Sequence, residues 1–114
     1  MKSVFFETSQ FTATVSHYLT DDEYRQLQLE MQANPHAGDV MPRTGGFRKI
    51  RWPDVRRGKG KRGGLRIIYY WLLECGQFWM FAIYDKGDLE NLTPHQENML
   101  KTAIDAELKR RGKT

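Results

Sequence analysis

The chain has 114 residues, a formal net charge of +4, 39% hydrophobic residues and 28% charged residues. This length suits one small domain, residues 1–114, that can bury a core without disulfides or metal staples. A single cysteine, Cys75, excludes an intramolecular disulfide and fits a reducing, cytoplasmic setting. No stretch approaches the roughly twenty apolar residues of a membrane helix, and the first apolar run is too short for a signal peptide.

The first third of the chain predicts one strand and two helices. An apolar run predicts a strand over Lys2–Phe6. Apolar residues spaced by three and four then predict a helix ending near Leu19. Thr20 followed by Glu23 is a capping-box start for the second helix, and Asn34-Pro35 ends it because proline disfavours helical geometry in the residue before it. The expected core-facing residues are Phe11, Val15, Tyr18, Leu19, Tyr24, Leu27 and Met31.

The middle of the chain alternates loops with one strand. Glycine and proline mark His36–Gly46 as a loop. Phe47–Trp52 predicts a strand, which Pro53 terminates because proline cannot donate to a ladder. Asp54–Gly64 contains four glycines and has no large apolar residue after Val55, so we expect an exposed, mobile loop.

A hairpin and a final helix complete the expected fold. Leu65–Leu73 and Phe78–Tyr84 are almost continuously hydrophobic, which predicts two strands covered on both faces and joined by a turn. Thr93, Pro94 and Gln96 then form a helix start. The order β-α-α-β-β-β-α predicts an α+β domain with a largely antiparallel sheet. The expected apolar face of the last helix consists of Met99, Leu100, Ala103, Ile104 and Leu108.

Positive charge is concentrated in one segment, residues 48–66. The segment contains nine basic residues and one acid, so it carries +8 while the other residues together carry −4. A cationic strip on a weakly acidic body is typical of a surface that binds a polyanion, most often nucleic acid. The basic residues are Arg48, Lys49, Arg51, Arg56, Arg57, Lys59, Lys61, Arg62 and Arg66.

The sequence lacks the residues that several kinds of chemistry require. The three histidines lie far apart, and none has a partner at metal-ligand spacing. The run Gly58–Gly64 lacks the Gly-Lys-Ser/Thr ending of a phosphate loop. We therefore expect no metal and no cofactor, and the remaining chemical groups are cations and tyrosines.

RNA cleavage is a reaction that such groups can support. The 2′-hydroxyl is itself the nucleophile, so a protein needs to align it, move two protons and stabilise negative charge. Arginine and lysine can clamp the transition state. A lysine or tyrosine in a cationic pocket can have its pKa lowered enough to exchange protons near neutrality.

The hairpin register decides whether candidate groups meet. A three-residue loop at Cys75–Gln77 would pair Glu74 with Phe78, which places Arg66 opposite Lys86 and near Tyr84 on one face. A two-residue loop would turn Tyr84 to the other face.

Three segments, Gly45–Arg51, Lys59–Tyr70 and Ile83–Lys86, resemble the RelE/ParE superfamily, and most closely the HigB-like branch of type II toxins. The resemblance implies a RelE-like α+β fold and a metal-independent endoribonuclease that cleaves messenger RNA in the ribosomal A site. It also implies a cognate antitoxin. In HigB-type systems the antitoxin has a helix-turn-helix domain, so the toxin would reach operator DNA only indirectly, through the antitoxin.

The resemblance carries roles onto five residues. Arg66 matches a strand arginine that stabilises the transition state, and Lys86 falls where RelE has a second catalytic arginine. Lys59 and Lys61 match a basic loop that orients or activates substrate, and Tyr84 matches a tyrosine in closer relatives. RelE also uses a C-terminal tyrosine as base, which the last helix here lacks, so the base is left open between Tyr84 and a loop lysine.

Other basic residues are expected to bind RNA or the ribosome: Arg48, Lys49, Arg51, Arg56, Arg57 and Arg62. Two alternatives use the same features. One is a non-enzymatic RNA-binding module that stacks bases on Trp52 and Tyr70. The other is a ParE-like gyrase inhibitor with the same fold.

Overall fold

The computed structural model describes residues 4–54, 64–72, 76–86, 92–110 and 112, and these residues form five strands and three helices. The predicted order is confirmed with one addition, β2, inside the predicted loop His36–Gly46. β2 has only two residues, too few to show the alternation of apolar and polar residues that predicts a strand. The elements are β1 (Val4–Glu7), α1 (Ser9–Tyr18), α2 (Asp21–Ala33), β2 (Asp39–Val40), β3 (Arg48–Trp52), β4 (Leu65–Leu72), β5 (Gln77–Asp85) and α3 (Pro94–Arg110).

Each helix begins at a threonine that caps it. The Thr8 side chain accepts a hydrogen bond from the amide three residues on. The predicted capping box of α2 is present: the Glu23 amide donates to Thr20 Oγ1 at 3.2 Å, and the Thr20 amide donates to Glu23 Oε1 at 2.8 Å. Thr93 and Gln96 exchange the same two bonds at the start of α3. Local sequence therefore sets where all three described helices begin.

The five strands form one sheet in the order β1-β5-β4-β3-β2. The pairs β2–β3, β3–β4 and β4–β5 are antiparallel, and β1 runs parallel to β5. The expected α+β class with a largely antiparallel sheet is confirmed.

Helices cover both faces of this sheet. On one face α1 and α2 enclose the larger core, which contains Phe11, Leu27, Met31, Ile67 and Phe78. On the other face α3 packs over a smaller core around Phe47, Ile68 and Ile104. Because successive strand residues point to opposite faces, odd-numbered residues of β4 face α1 and α2 while its even-numbered residues face α3.

Two expectations about burial are wrong. Met99 is 57% exposed, because it lies about 140° around α3 from the buried Ile104, outside the stripe that reaches the sheet. Asp54, expected to open an exposed loop, is fully buried two residues after the end of β3. Residues 55–63 of that predicted loop lie outside the described residues.

The β4–β5 hairpin changes register once along its length. Near the turn Leu72 pairs with Gln77 and Tyr69 with Met80, whereas beyond it Ile68 pairs with Ala82 and Arg66 with Tyr84. Phe81 is therefore one additional residue on β5, a β-bulge. The bulge leaves Phe81 and Ala82 both packed on the α3 side, so the residues after it change face.

Candidate functional site

Three polar side chains form one row across the three central strands, near the strand ends opposite the β4–β5 turn. Arg51 on β3 pairs with Arg66 on β4, and Arg66 pairs with Tyr84 on β5. Residues opposite each other in antiparallel strands project from the same face. That face is the α3 side, because Ile68 and Ala82, next along the strands, both pack in the α3 core.

Arg66 occupies the centre of this row. It is 6% exposed, and its Nη1 donates a hydrogen bond to the Leu65 carbonyl at 3.1 Å. Arg66, near the start of an otherwise apolar strand, is thus buried against the sheet, where the neighbouring strands hold it in position. Held this way, the guanidinium needs little reorganisation to meet an anion.

The expected pairing of Arg66 with Lys86 is wrong. Tyr84 occupies the opposing position, two residues earlier, because the strands end at Leu72 and Gln77 and the bulge at Phe81 adds one residue. Lys86 lies just past the end of β5, is exposed, and its amide donates to the Gly64 carbonyl at 3.2 Å. The expected grouping of Arg66 and Tyr84 on one face is confirmed.

The Tyr84 hydroxyl is buried, and among the described residues it neither donates nor accepts a hydrogen bond. Burial raises the pKa of Tyr84 above its usual value, and the positive charge of Arg66 acts in the opposite direction. The phenol is therefore neutral near pH 7 and has a proton to donate. This contradicts the expectation that a cationic pocket lowers the pKa of a tyrosine here.

The basic residues of β3 divide between the two faces of the sheet. Arg48 points to the α1–α2 side, where its Nη1 donates to the carbonyls of Gly38 at 2.8 Å and His36 at 3.4 Å. Lys49 and Arg51 instead line a groove of about 370 Å³ on the α3 side. Strand alternation thus separates residues that the sequence groups together.

One wall of this groove is an ion pair that sequence reasoning missed. Arg43 Nε and Nη2 donate to the two carboxylate oxygens of Glu97 at 2.9 and 3.1 Å. Hydrogen bonding to Glu97 raises the pKa of Arg43. Arg43 has a φ of 63°, a left-handed conformation that is uncommon for a residue with a side chain. Pro42 and the glycines after it predicted a loop here, but no local signal predicted the partner on α3.

A second groove, of about 420 Å³, opens between β5 and α3. Tyr84 and Phe81 form part of its floor, and Met99 and Gln96 line the α3 side. Leu92 lines both grooves, so they flank the start of α3 on its two sides. The row of Arg51, Arg66 and Tyr84 extends from the first groove, which Lys49 and Arg51 line, to the second groove, which is mostly apolar.

Several expected site residues cannot be placed in this arrangement. Lys59, Lys61, Arg56, Arg57 and Arg62 lie outside the described residues. Within the described part, no group of three or more histidine, cysteine or acidic side chains is placed to hold a metal ion. Likewise, no helix in that part is both long and apolar enough to span a bilayer.

The alternative RNA-binding interpretation expects bases to stack on Trp52 and Tyr70, and this expectation is wrong for Trp52. Trp52 is 7% exposed and belongs to the larger core, so its ring offers no surface to a base. Tyr70 is half-buried and packs edge-on against Phe47, with ring centroids 5.2 Å apart.

The sheet order and the helices on its two faces define an α+β fold of the RelE type. The chain is similar to a double arginine-to-alanine mutant of E. coli toxin RelE in the free state. The TM-score is 0.56 at 14% identity, over 87% of this chain and 96% of that chain.

It is also similar to a chain of the intact E. coli RelBE toxin–antitoxin complex. The TM-score is 0.50 at 15% identity, over 74% of this chain and 96% of that chain. No family model matches the chain. At these identities the likeness establishes the fold.

Proposed function

We propose that this protein is the toxin of a type II toxin–antitoxin system. It is a metal-independent, ribosome-dependent endonuclease that inhibits translation by cutting messenger RNA in the A site. The observation that carries the proposal is the pairing of Arg66 with Tyr84 on the α3 face of the sheet in a RelE-like fold. The pair sets a cation beside a neutral proton donor, which is what cleavage by a neighbouring 2′-hydroxyl requires.

The reaction has one bond-forming and one bond-breaking event. The 2′-oxygen loses its proton and bonds to phosphorus, and the bond from phosphorus to the 5′-oxygen breaks. The products are a 2′,3′-cyclic phosphate and a 5′-hydroxyl, so no water is consumed. Arg66 stabilises the negative charge on the non-bridging oxygens as it develops.

Proton transfer is divided between two groups in this proposal. Tyr84, with its raised pKa, donates a proton to the departing 5′-oxygen. The proton of the 2′-hydroxyl passes to Lys59 or Lys61, because neighbouring positive charges lower the pKa of a lysine. Lys86 remains a proposed cation at the margin of the site.

Affinity for RNA comes from the remaining basic residues. Each contact to a phosphate adds sequence-independent, salt-dependent affinity. Arg48 contributes least, because its guanidinium already donates to two backbone carbonyls. The other proposed contacts are Lys49, Arg51, Arg56, Arg57 and Arg62.

The proposed partners are an antitoxin, messenger RNA and the small ribosomal subunit, and the proposed location is the cytoplasm. An antitoxin is supported by the likeness to a chain of the E. coli RelBE complex. The HigB-like sequence resemblance favours an antitoxin with a helix-turn-helix domain, through which operator DNA is reached. A short reading frame beside the gene should encode it.

Ribosomes programmed with a defined message test the function. Purified protein should cut the message at the A-site codon and leave 2′,3′-cyclic phosphate ends, and Arg66→Ala should not. Inhibition of gyrase supercoiling with the message left intact would show a ParE-like protein. RNA binding without cleavage or supercoiling arrest would show a binding module.

A further inference from the structure

We propose that the second groove, between β5 and α3, binds the nucleobase of the nucleotide that lies 3′ to the cut, and that Gln96 selects a keto base, guanine or uracil. The inference rests on the proposed function and deepens it by naming a base subsite and the residues that determine its specificity. It gives a role to two side chains of the groove that the cleavage chemistry does not use, Gln96 and Met99.

Tyr84 belongs both to the row on the sheet and to the second groove. In the proposed reaction it gives its proton to the departing 5′-oxygen, and that oxygen belongs to the nucleotide 3′ to the cut. With the phosphate over Arg66 on β4, this nucleotide therefore continues toward β5. The sheet order places the second groove on that side, so the base of this nucleotide lies at the groove.

The second groove has the character of a site for a flat, largely apolar ring. Its volume of about 420 Å³ is within the range of small-ligand sites, about 300–1,000 Å³. Apolar side chains such as Phe81, Ala82 and Leu100 line most of it. Few polar groups reach the groove, as is typical of sites in which one or two hydrogen bonds fix the orientation of a ligand.

Met99 offers a surface on which the base can stack. Its side chain lines the groove and is 57% exposed, so it contributes little to the core. A flexible, polarisable thioether packs well against an aromatic ring. Gln96, Met99 and Ala103 follow one another on α3 at spacings of three and four residues, so they form one wall of the groove. The stacking surface and the polar group are therefore one helical turn apart.

The capping bond at the start of α3 decides which part of Gln96 can meet a base. The Thr93 amide donates to Gln96 Oε1 at 2.8 Å. A backbone N–H can bond only to the oxygen of a side-chain amide, so the nitrogen, Nε2, is directed away from this bond. Among the described residues Nε2 donates no hydrogen bond. Gln96 therefore brings a hydrogen-bond donor to the groove.

A donor favours bases that carry a carbonyl oxygen. A free glutamine pairs with adenine by donating one hydrogen bond and accepting another. Here the Thr93 amide holds Gln96 Oε1, so this two-point pairing is lost. Guanine presents the acceptors O6 and N7 side by side and uracil presents O4, whereas adenine and cytosine present an amino group instead of the carbonyl oxygen. The groove should therefore prefer guanine or uracil.

Programmed ribosomes test this base preference. The cut is first mapped, and four messages are then compared that differ only in the nucleotide 3′ to it. The wild type should cut the messages with guanine or uracil about tenfold faster than those with adenine or cytosine. Gln96→Glu should abolish or reverse the preference, because glutamate keeps an oxygen for the Thr93 amide but replaces the donor by an acceptor.

The ratio between bases, rather than the overall rate, is the readout, since a new negative charge near RNA weakens binding of every message. Gln10→Glu adds the same charge on the α1 side of the groove and should leave the ratio unchanged. Met99→Ala should raise KM about two- to tenfold for all four messages, because stacking does not distinguish bases. Unchanged melting temperatures will show that the variants are folded. A ratio that is the same in Gln96→Glu as in the wild type would overturn the inference.

The two proposals fail in different ways. If the wild type cuts all four messages equally, the proposed function stands and the base site fails. If it cuts no message, the function fails and binding alone tests the site. Guanosine 5′-monophosphate should then shift the NMR signals of the Gln96 amide and the Met99 methyl group more than adenosine 5′-monophosphate does. Equal shifts with the two nucleotides, or none, would show that the groove is not a base site.

Discussion

Arg66 on β4 and Tyr84 on β5 are cross-strand partners that project from the same face of the sheet. The relationship depends on Phe81, the additional residue of the β-bulge. Close to the turn, the register of the two strands differs by one residue from the register beyond the bulge. If the register near the turn continued, Tyr84 would project from the α1–α2 face. Bulges often aim a side chain into a site, and this one brings the Tyr84 side chain to the same face as the buried Arg66.

If the proposed function holds, Arg66→Ala should reduce cleavage of ribosome-bound message by about 10²–10³-fold, because it removes the group proposed to stabilise charge in the transition state. Growth arrest on expression should disappear with it. Circular dichroism should show a folded chain. Arg25→Ala, which removes an exposed arginine from α2 in the other layer, is the control and should leave cleavage unchanged. Retained toxicity in a folded Arg66→Ala protein would remove this residue from the site.

Tyr84→Phe should lower cleavage at least about tenfold while leaving stability unchanged or raised by up to about 1 kcal/mol. The buried hydroxyl has no hydrogen-bond partner among the described residues, so its removal relieves a desolvation cost. Chemical unfolding and cleavage should be measured on the same preparations.

Tyr69→Phe provides the contrast for this measurement. The Tyr69 hydroxyl donates to the Pro35 carbonyl at 2.8 Å and accepts from the Gly38 amide at 3.0 Å. Its loss leaves buried partners unpaired and should cost about 1–3 kcal/mol. A destabilised Tyr84→Phe protein would contradict a purely functional role for the Tyr84 hydroxyl.

Alkaline pH should destabilise the protein. Burial raises the pKa of four tyrosines, Tyr24, Tyr69, Tyr70 and Tyr84. Between the unfolded-state pKa, about 10, and the higher folded-state values, the native protein binds more protons than the unfolded chain. Stability is therefore complete below about pH 10 and is lost as the pH rises through the folded-state values.

Melting temperatures and tyrosinate absorbance followed together check this expectation. Tyr24→Phe should flatten the alkaline fall, since burial and the 2.6 Å hydrogen bond to Glu7 both raise the pKa of Tyr24. Ionisation of these tyrosines near their usual pKa, with no loss of stability, would contradict the prediction.

The Arg43–Glu97 ion pair should couple the turn before β3 to α3 only weakly. Its carboxylate is mostly buried, but the Arg43 side chain is 70% exposed and solvent screens the pair. A double-mutant cycle with Arg43→Gln and Glu97→Gln measures this coupling. Arg43→Gly should cost less than Arg43→Gln, because glycine adopts a φ of 63° without strain. The reverse order would show that backbone strain at Arg43 is negligible.

Local sequence signals predicted the helices well because capping is a short-range interaction. Thr20 and Glu23 are three residues apart, and each satisfies a backbone group of the other. Burial on α3 was predicted less well. Met99 matches the helical period, but which stripe meets the sheet depends on how α3 docks, and that contact is distant in sequence.

The sequence by itself determined the order of elements, the helix starts, the hairpin and the concentration of positive charge at residues 48–66, because each depends on neighbours within a few residues. Tertiary structure decided which charges meet. Strand alternation sends Arg48 to one face and Arg51 to the other, and a single bulge turns Tyr84 toward Arg66. A shift of one residue inverts every side chain beyond it, so the pairing of strands distant in the chain, rather than composition, brings the candidate site together.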